Sequence, residues 1–315
     1  MELDEENARI VAAFAALWPD GDFDLDRLRT ASSPPSDHHA HRVRRREDAR
    51  LPAPGGERPI RLYWPRASAP TGVLVYFHGG GFVSGDLETS DGVCCRLTEL
   101  AECVTLNVDY RLAPEHPFPA GLEDACAAVA WTFKHAAELG APQRVAVGGD
   151  SAGGTLATGA CMVRRDRGGP QPLFQLLFYP GINLDIDTPR RNALGRKGYV
   201  LTPELIGWLN SFYCATPEGF AAPYCTPARF TDLSGLPSAL LIAGDCDPVC
   251  FESARYAERL RGAGVDARYS EYAGATHGFF GLFDINAKGR AALKEGGEAL
   301  RAAFARQVPG ESSPE

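Results

Sequence analysis

The 315-residue chain lacks several features that would assign it to a special class of protein. It has no run of about 18 consecutive apolar residues, the length that a membrane-spanning helix needs. Its nine cysteines include no CxxC pair, which disfavours a zinc site or a disulfide framework and favours buried, reduced thiols. Internal repeats and low-complexity segments are also missing. With 44% hydrophobic and 23% charged residues, the composition is that of a globular protein with a large core.

Positive charge is scarce relative to negative charge. The formal net charge of −8 repels phosphate backbones and argues against nucleic acid as a partner. Residues 1–6 are mostly acidic, where a secretory signal peptide would be basic and then apolar. Together with the missing apolar run, this predicts a cytoplasmic protein that has no membrane partner. A homodimer is compatible with the sequence, which does not specify the oligomeric state.

From Pro59 onward, short apolar runs of strand length alternate with segments of helical length. The runs are nearly continuous, which is typical of parallel strands that are buried on both faces. Strands are predicted at 73–77, 104–108, 145–147, 174–178 and 239–242, with a strand-like run at 267–272, and helices at about 92–101, 120–139, 152–166, 251–263 and 287–306. This alternation predicts an α/β fold with a mostly parallel, doubly wound central sheet.

The N-terminal segment, residues 1–50, does not share this alternation. Its residues 5–18 have the apolar spacing of a helix. The stretch from Ser32 to Gly56 is rich in Ser, Pro and Arg, and we interpret it as a mobile linker. A metal site at Asp37–His41 is disfavoured, because no cysteine or second carboxylate stands at ligand spacing.

Residues 181–235 also interrupt the alternation. They are rich in Pro, Asn and aromatic residues and contain one amphipathic piece at 204–212. We interpret them as an insertion that lies over the sheet. The α/β core then consists of residues 51–180 and 236–315.

The loop after the predicted strand at 145–147 carries the first chemical motif. In an open α/β sheet, functional residues lie at the carboxyl ends of the strands. Residues 149–153 read Gly-Asp-Ser-Ala-Gly, which is G-x-S-x-G between a strand and a helix. Ser151 is therefore the predicted nucleophile. The alternative, a phosphate-binding turn, lacks both the Lys of a P-loop and the GxGxxG spacing.

A second glycine-rich motif follows the strand at 73–77. His78 is followed by three successive glycines, which let backbone N–H groups face a ligand without obstruction, as an oxyanion hole requires. The expected donors are the amides of Gly80 and Gly81, together with the amide of Ala152 next to the nucleophile. His78 is expected to fix this loop rather than to act as a base.

A serine nucleophile needs a histidine base. Outside the linker the candidates are His116, His135 and His277. His135 lies inside a predicted helix, where an ordinary structural role is the simpler interpretation. His277 is favoured because it lies in a loop between the strand-like run at 267–272 and the last helix.

The base in turn needs a carboxylate that orients it. Asp245 and Asp247 both follow the strand at 239–242. Asp247 is favoured because Pro248 fixes a turn immediately after it. The resulting order along the chain, Ser151, Asp247 and His277, is the order found in α/β hydrolases.

Four motifs in order resemble the bacterial hormone-sensitive-lipase family of carboxylesterases. They are residues 78–81 (His-Gly-Gly-Gly), 110–115 (Tyr-Arg-Leu-Ala-Pro-Glu), 149–153 (Gly-Asp-Ser-Ala-Gly) and 277–279 (His-Gly-Phe). The resemblance runs from about Pro59 to the C-terminus. In that family the triad acid opens an Asp-Pro-Leu-Arg-Asp-Glu run, which supports Asp247. Here Cys250 and Phe251 depart from that run, so the local packing of the loop differs.

The resemblance implies an α/β-hydrolase fold with a helical cap that is built from the N-terminal segment and the insertion. It also implies hydrolysis of short- to medium-chain esters, with a small-molecule ester as the partner and with no metal or organic cofactor. Glu115 and Asp124 are expected in internal ion pairs. Aromatic and aliphatic residues of the cap are expected to line an apolar substrate pocket; the candidates are Phe14, Trp18, Leu201, Leu205 and Trp208, with Tyr199 and Phe212 beside them.

Two other functions remain open at this point. The same triad cleaves amides, so an amidase or deacetylase that acts on an acylated metabolite is one alternative. A binding protein that keeps the fold without catalysis is the other. Binding proteins that resemble this family typically lack the catalytic histidine, whereas His277 is present here.

Overall fold

The computed structural model describes residues 2–19, 21–32, 39–184, 188–214 and 216–306. Its strands are β1 (Arg45–Ala53), β2 (Gly56–Trp64), β3 (Val73–Phe77), β4 (Val104–Val108), β5 (Val145–Asp150), β6 (Phe174–Phe178), β7 (Ser238–Gly244) and β8 (Ala267–Tyr272). Its α-helices are α1 (Glu5–Ala15), α2 (Leu25–Ser32), α3 (Asp91–Ala101), α4 (Ala120–His135), α5 (Ala152–Asp166), α6 (Pro189–Gly195), α7 (Pro203–Tyr213), α8 (Cys250–Gly262) and α9 (Ala287–Ala305). Short 3₁₀ helices lie at Ala40–Arg42, Pro217–Ala221 and Pro227–Arg229.

The eight strands form one sheet in the order β1-β2-β4-β3-β5-β6-β7-β8. From β4 to β8 in this order, each strand is parallel to the next, whereas β2 is antiparallel to both β1 and β4. All five predicted strands and the strand-like run at 267–272 are confirmed. The sheet is mostly parallel, as the alternation predicted, and the fold is the α/β-hydrolase fold that the resemblance implied. Among the described residues, no helix combines the length and the apolarity that crossing a membrane requires.

The core lies on both faces of the sheet, because successive side chains of each strand point to opposite faces. In β3, Val75 and Phe77 enter a cluster with α4, α5 and α8, whereas Leu74 and Tyr76 enter a cluster with α3 and α9. All five residues of β3 are fully buried. This is why the central strands read as continuous apolar runs rather than as alternating ones.

The linker interpretation is wrong for residues 45–56. β1 and β2 form a hairpin whose register pairs Ala53 with Gly56 across the two-residue loop Pro54–Gly55. Pro followed by Gly is a typical turn sequence, and Gly55 has φ +79°. Most β1 side chains are exposed because it is the edge strand, so its charged residues resemble those of a solvated linker. Asp37 and His38 of the disfavoured metal site lie outside the described residues.

The cap combines helices from both regions that interrupt the alternation. α1 and α2 come from the N-terminal segment, and α6 and α7 come from the insertion. Trp18 from the segment after α1 packs edge-to-face on Trp208 of α7, with ring centroids 6.4 Å apart. α2 and α6 are short, and the sequence analysis missed both. The domain boundaries at residues 50, 180 and 235 stay predictions.

Arg61 of β2 ties the β1–β2 hairpin to α3 and to the segment just before it. It is 7% exposed and forms ion pairs with Asp48 of β1, with Glu88 and with the fully buried Asp91 of α3. The hydrogen bond with Asp48 raises the pKa of the guanidinium further above its usual range, although burial opposes this. The Tyr63 hydroxyl also donates to Asp91.

We predict that Arg61→Ala lowers the free energy of unfolding by about 3 kcal/mol, because it removes one partner of a buried charge cluster. Arg50→Ala is the matched control, because it removes an exposed arginine of the same hairpin and should change stability by less than about 0.5 kcal/mol. Urea unfolding measures both. Equal effects of the two substitutions would contradict an anchoring role for Arg61.

Candidate active site

Ser151 occupies a sharp turn between β5 and α5. Its φ of 50° and ψ of −118° are unusual for a residue with a side chain. Glycines flank it because there is no space for a Cβ: one at Gly153 would overlap the Phe77 carbonyl oxygen, and one at Gly149 would overlap the backbone of Gly153. The G-x-S-x-G sequence therefore follows from the close approach of α5 to the ends of β3 and β5.

His277 lies between Ser151 and Asp247. Its Nε2 is 2.9 Å from Ser151 Oγ, and its Nδ1 is 2.7 Å from Asp247 Oδ2. Asp247 is fully buried, and its Oδ1 accepts a hydrogen bond of 3.0 Å from the Val249 amide across the turn at Pro248. These side chains follow the ends of β5, β7 and β8; β7 and β8 are neighbours in the sheet, and β6 separates β5 from β7. The structure thus brings together the three residues that the sequence analysis favoured.

The competing candidates have other partners. Asp245 Oδ1 accepts a 2.6 Å hydrogen bond from the Gly274 amide. His135 Nδ1 is 2.8 Å from the Trp131 carbonyl one turn earlier in α4. His116 is exposed and lines a separate, polar cavity of about 630 Å³. None of the three contacts Ser151.

The loop at residues 78–81 lies beside Ser151. Gly80 and Gly81 have φ values of +116° and +62°, a backbone region that favours glycine. The Gly80 carbonyl is directed back into its own loop, where it accepts from the Val83 and Ser84 amides at 3.1 Å. The amides of Gly80, Gly81 and Ala152 find no hydrogen-bond acceptor among the described residues. They are therefore free to bind an oxyanion.

His78 packs beneath this loop rather than in the pocket. Its side chain is fully buried, its Nδ1 is 2.7 Å from the Gly79 carbonyl, and its ring stacks on Tyr110 at 4.4 Å. Burial lowers the pKa of His78 to about 4, so the ring is neutral near pH 7. This arrangement agrees with the expected loop-fixing role.

Asp150 connects the turn at Ser151 to the glycine loop. Its Oδ1 accepts hydrogen bonds from the Gly79 amide at 3.0 Å and from the Tyr76 hydroxyl at 2.9 Å. Burial raises the pKa of this carboxyl to about 6, although these hydrogen bonds and His277 oppose the shift. No role for Asp150 was predicted from the sequence. Its position next to the nucleophile was the available signal.

An apolar cavity of about 290 Å³ opens onto Ser151 and His277. Of the predicted pocket residues, Phe14, Leu201 and Leu205 line this cavity. The prediction is wrong for Trp18 and Trp208, which do not line it and pack on each other instead. The sequence analysis missed Ile10, Leu28, Tyr179, Val200 and Leu209, which also line it.

Helix geometry explains the error on α7. Residues four apart on a helix lie about 40° apart around its axis, whereas those three apart lie about 60° apart in the opposite direction. Leu209 therefore shares the cavity face with Leu205, and Trp208 lies on the neighbouring face. The sequence alone does not state which of these two apolar faces looks toward Ser151.

A smaller cavity of about 50 Å³ also borders Ser151. It shares Gly81, Leu201 and Leu209 with the apolar cavity and has a more polar wall formed by Asn183, Arg191 and Asn210. Arg191 is buried, donates to the Asn183 carbonyl at 2.9 Å and lies 3.5 Å from the Glu252 carboxylate. The site thus has one larger apolar compartment and one small compartment.

The expected structural ion pairs are present. Glu115 pairs with Arg29 of α2, whose hydrogen bond lowers the pKa of the carboxyl to about 2. Asp124 is fully buried and binds Arg111 through hydrogen bonds of 2.9–3.1 Å. Within the described part of the chain, no three His, Cys, Asp or Glu side chains cluster as metal ligands would.

Fold and site together define the class of protein, an α/β hydrolase. A family model of the alpha/beta hydrolase fold matches residues 74–281. The chain is 42% identical to the carboxylic ester hydrolase LipN of Mycobacterium tuberculosis, over 82% of this chain and 70% of that protein. It is 34% identical to an ethyl acetate hydrolase of Pseudomonas putida, over 72% of this chain and 73% of that protein.

Solved structures give the same result. An esterase from Pyrobaculum calidifontis superposes with a TM-score of 0.87 at 37% identity, over 95% of this chain and 98% of that one. The chain belongs to the hormone-sensitive-lipase-like family of α/β hydrolases. It is a carboxylic ester hydrolase, as the resemblance implied.

We predict that Asp150→Ala lowers kcat by about 10- to 100-fold with little change in KM, because the Gly79 amide loses the acceptor that orients the glycine loop. Asp150→Asn is the matched control. Its Oδ1 still accepts both hydrogen bonds, so kcat should fall by less than about 10-fold. Steady-state kinetics on one soluble ester measures both variants. Equal losses in Ala and Asn would mean that the charge, rather than the hydrogen bonds, is what matters.

Proposed function

We propose that the protein is a serine carboxylesterase that hydrolyses short- to medium-chain esters through an acyl-enzyme intermediate. The observation that carries the proposal is the continuous hydrogen-bonded array from Ser151 through His277 to Asp247, at 2.9 and 2.7 Å. In this array His277 is in position to accept the serine proton, and Asp247 holds the ring in the required orientation.

In the first half-reaction, Ser151 Oγ attacks the ester carbonyl carbon while His277 Nε2 takes the hydroxyl proton. The carbonyl oxygen becomes an oxyanion, which the amides of Gly80, Gly81 and Ala152 stabilise. The tetrahedral intermediate collapses, the bond to the alcohol oxygen breaks, and His277 returns its proton to that oxygen. The alcohol departs and the acyl group remains on Ser151.

In the second half-reaction, water replaces the alcohol. His277 takes a proton from the water as its oxygen attacks the acyl carbon, and the same three amides bind the second oxyanion. Collapse of this intermediate breaks the bond to Ser151 Oγ, which regains its proton from His277, and the carboxylic acid is released. Asp247 stabilises the imidazolium that forms in each half-reaction.

The two compartments support a substrate of limited size. The apolar walls of the 290 Å³ cavity, which include Leu205 and Leu209, suit an alkyl or aryl group. The 50 Å³ compartment suits a small group on the other side of the scissile bond. The name of the ethyl acetate hydrolase relative supports the same size class. A cytoplasmic location and a homodimer stay predictions.

Hydrolysis of p-nitrophenyl esters from acetate to laurate tests this proposal. We expect rates that peak at short or medium acyl chains, because longer chains exceed the cavity. Ser151→Ala should lower kcat by more than about 10⁴-fold without loss of folding, since the nucleophile is removed. Substantial activity in this variant would contradict the role of Ser151. Inactivity of the folded wild type on the whole series would contradict the ester assignment and direct the test to amides.

Asp247→Asn and Asp245→Asn separate the two carboxylates. We expect kcat/KM to fall by about 10⁴-fold in Asp247→Asn, because the neutral amide no longer holds the His277 tautomer or stabilises the imidazolium. Asp245→Asn should cost less than about 10-fold, because the Asn oxygen can still accept from the Gly274 amide. The reverse ranking, measured on one ester at one pH, would show that the wrong carboxylate was assigned.

A further inference from the structure

Asn7 is a polar residue with no exposed surface near the start of α1. Its side-chain Nδ2 donates to Asp4 Oδ1 at 2.9 Å. Its Oδ1 accepts a 3.1 Å hydrogen bond from the backbone amide of Thr276, which is 269 residues away in the sequence. Thr276 directly precedes His277 and is itself fully buried. The side chain of Asn7 therefore reaches the peptide unit next to the histidine of the active site.

Three further contacts dock residues 4–7 against the segment around His277. The Asp4 amide donates to the Gly274 carbonyl at 3.2 Å, and the Asp4 carboxylate forms an ion pair with Lys288. The Glu6 carboxylate accepts from the Ala287 amide at 2.8 Å. These contacts hold the two ends of residues 274–288. Of the four interactions, the one from Asn7 lies closest to His277 in the sequence.

The loop that carries His277 lies between β8 and α9, so no regular strand or helix hydrogen bonds fix it. On its other side, the Ala275 carbonyl accepts from the Cys246 amide at 3.0 Å, and the Gly274 amide donates to Asp245. Gly278, directly after His277, has φ +82°, which is a turn conformation. The hydrogen bond from the Thr276 amide to Asn7 is thus the contact by which α1 fixes the backbone next to His277.

We propose that Asn7 is a positioning residue for His277, and that α1 is thereby part of the catalytic apparatus as well as of the cap. The inference rests on the proposed role of His277 as the base. Proton transfer requires Nε2 to stay within hydrogen-bond reach of Ser151 Oγ, and reaction rates are sensitive to displacements of about 1 Å. A buried amide that loses its acceptor shifts to find another partner, and the ring of His277 shifts with it.

Three variants separate positioning from the docking of α1. Asn7→Ala removes the acceptor for the Thr276 amide. Lys288→Ala is the matched control, because it removes a docking contact of the same segment and leaves the hydrogen bond to Thr276 intact. The exchange Asp4→Asn with Asn7→Asp is the rescue, because an aspartate at position 7 still accepts from Thr276 and an asparagine at position 4 still caps α1.

The first readout is the division between kcat and KM with p-nitrophenyl butyrate, on samples whose folded fraction is matched by circular dichroism. We expect kcat to fall by about 10- to 100-fold in Asn7→Ala with KM nearly unchanged, and to stay within about two-fold of wild type in Lys288→Ala. The exchanged pair should recover most of the loss. A kcat in Asn7→Ala that equals that of Lys288→Ala would overturn the proposal, as would a loss confined to KM.

The second readout does not depend on hydrolysis. A proton on His277 Nδ1, 2.7 Å from Asp247 Oδ2, should give a far-downfield ¹H NMR signal, which we expect to shift or broaden in Asn7→Ala and to persist in Lys288→Ala. An unchanged signal in Asn7→Ala overturns the proposal even if Ser151 proves not to be the nucleophile. If Asn7→Ala does not fold, Asn7→Ser makes the same comparison with a smaller change in polarity.

Discussion

The close approach of α5 to the end of β3 is the constraint on which the site depends. At Gly153 the helix backbone lies so near the Phe77 carbonyl that no side chain fits between them. The chain can make this approach only by turning sharply at Ser151, which places the serine in a strained conformation at the carboxyl end of the central strands. The same approach sets the Ala152 amide beside the glycine loop that leaves β3. Ser151 and one of the amides that we propose as oxyanion donors are therefore positioned by one packing contact.

The parts of the site come from distant segments and are joined by buried polar groups. Asp150 ties the turn at Ser151 to the Gly79 amide, and Asp247 ties β7 to His277. Asp247 is fully buried and Asp150 is partly buried, and a buried polar group that has all its hydrogen-bond partners specifies one arrangement of the chain around it. Proton transfer requires that the side chains stay in place. These hydrogen bonds hold them there, so the loops that carry the residues need not be rigid by themselves.

The sequence predicted those parts of the molecule whose position in the fold demands a recognisable local pattern of residues. Buried central strands must be apolar on both faces, and the turn at Ser151 must have glycine on both sides, so both leave a direct signature. The β1–β2 hairpin does not, because an edge strand keeps its charged residues in water and resembles a linker. Leu209 was missed in favour of Trp208 because both are apolar, and only the docking of α7 decides which faces the cavity. Asn7 has no signature at all, since its partner is a backbone amide near the other end of the chain.

The hydrogen-bonded array and the cap differ in which property of the enzyme a substitution would alter. The hydrogen-bonded array of Ser151, His277 and Asp247 is carried at the ends of the sheet strands, so under the proposed mechanism a substitution there would alter the rate of chemistry on every substrate. The cavity walls at Leu205 and Leu209 belong to the cap, which is attached through side-chain packing rather than through the strand ladder. Substitutions on α7 can therefore alter which ester fits while the array stays intact. α1 belongs to both parts, because Phe14 lines the cavity and Asn7 reaches the loop of His277. If Asn7 positions His277 as proposed, a change in how α1 docks would consequently affect substrate fit and proton transfer together.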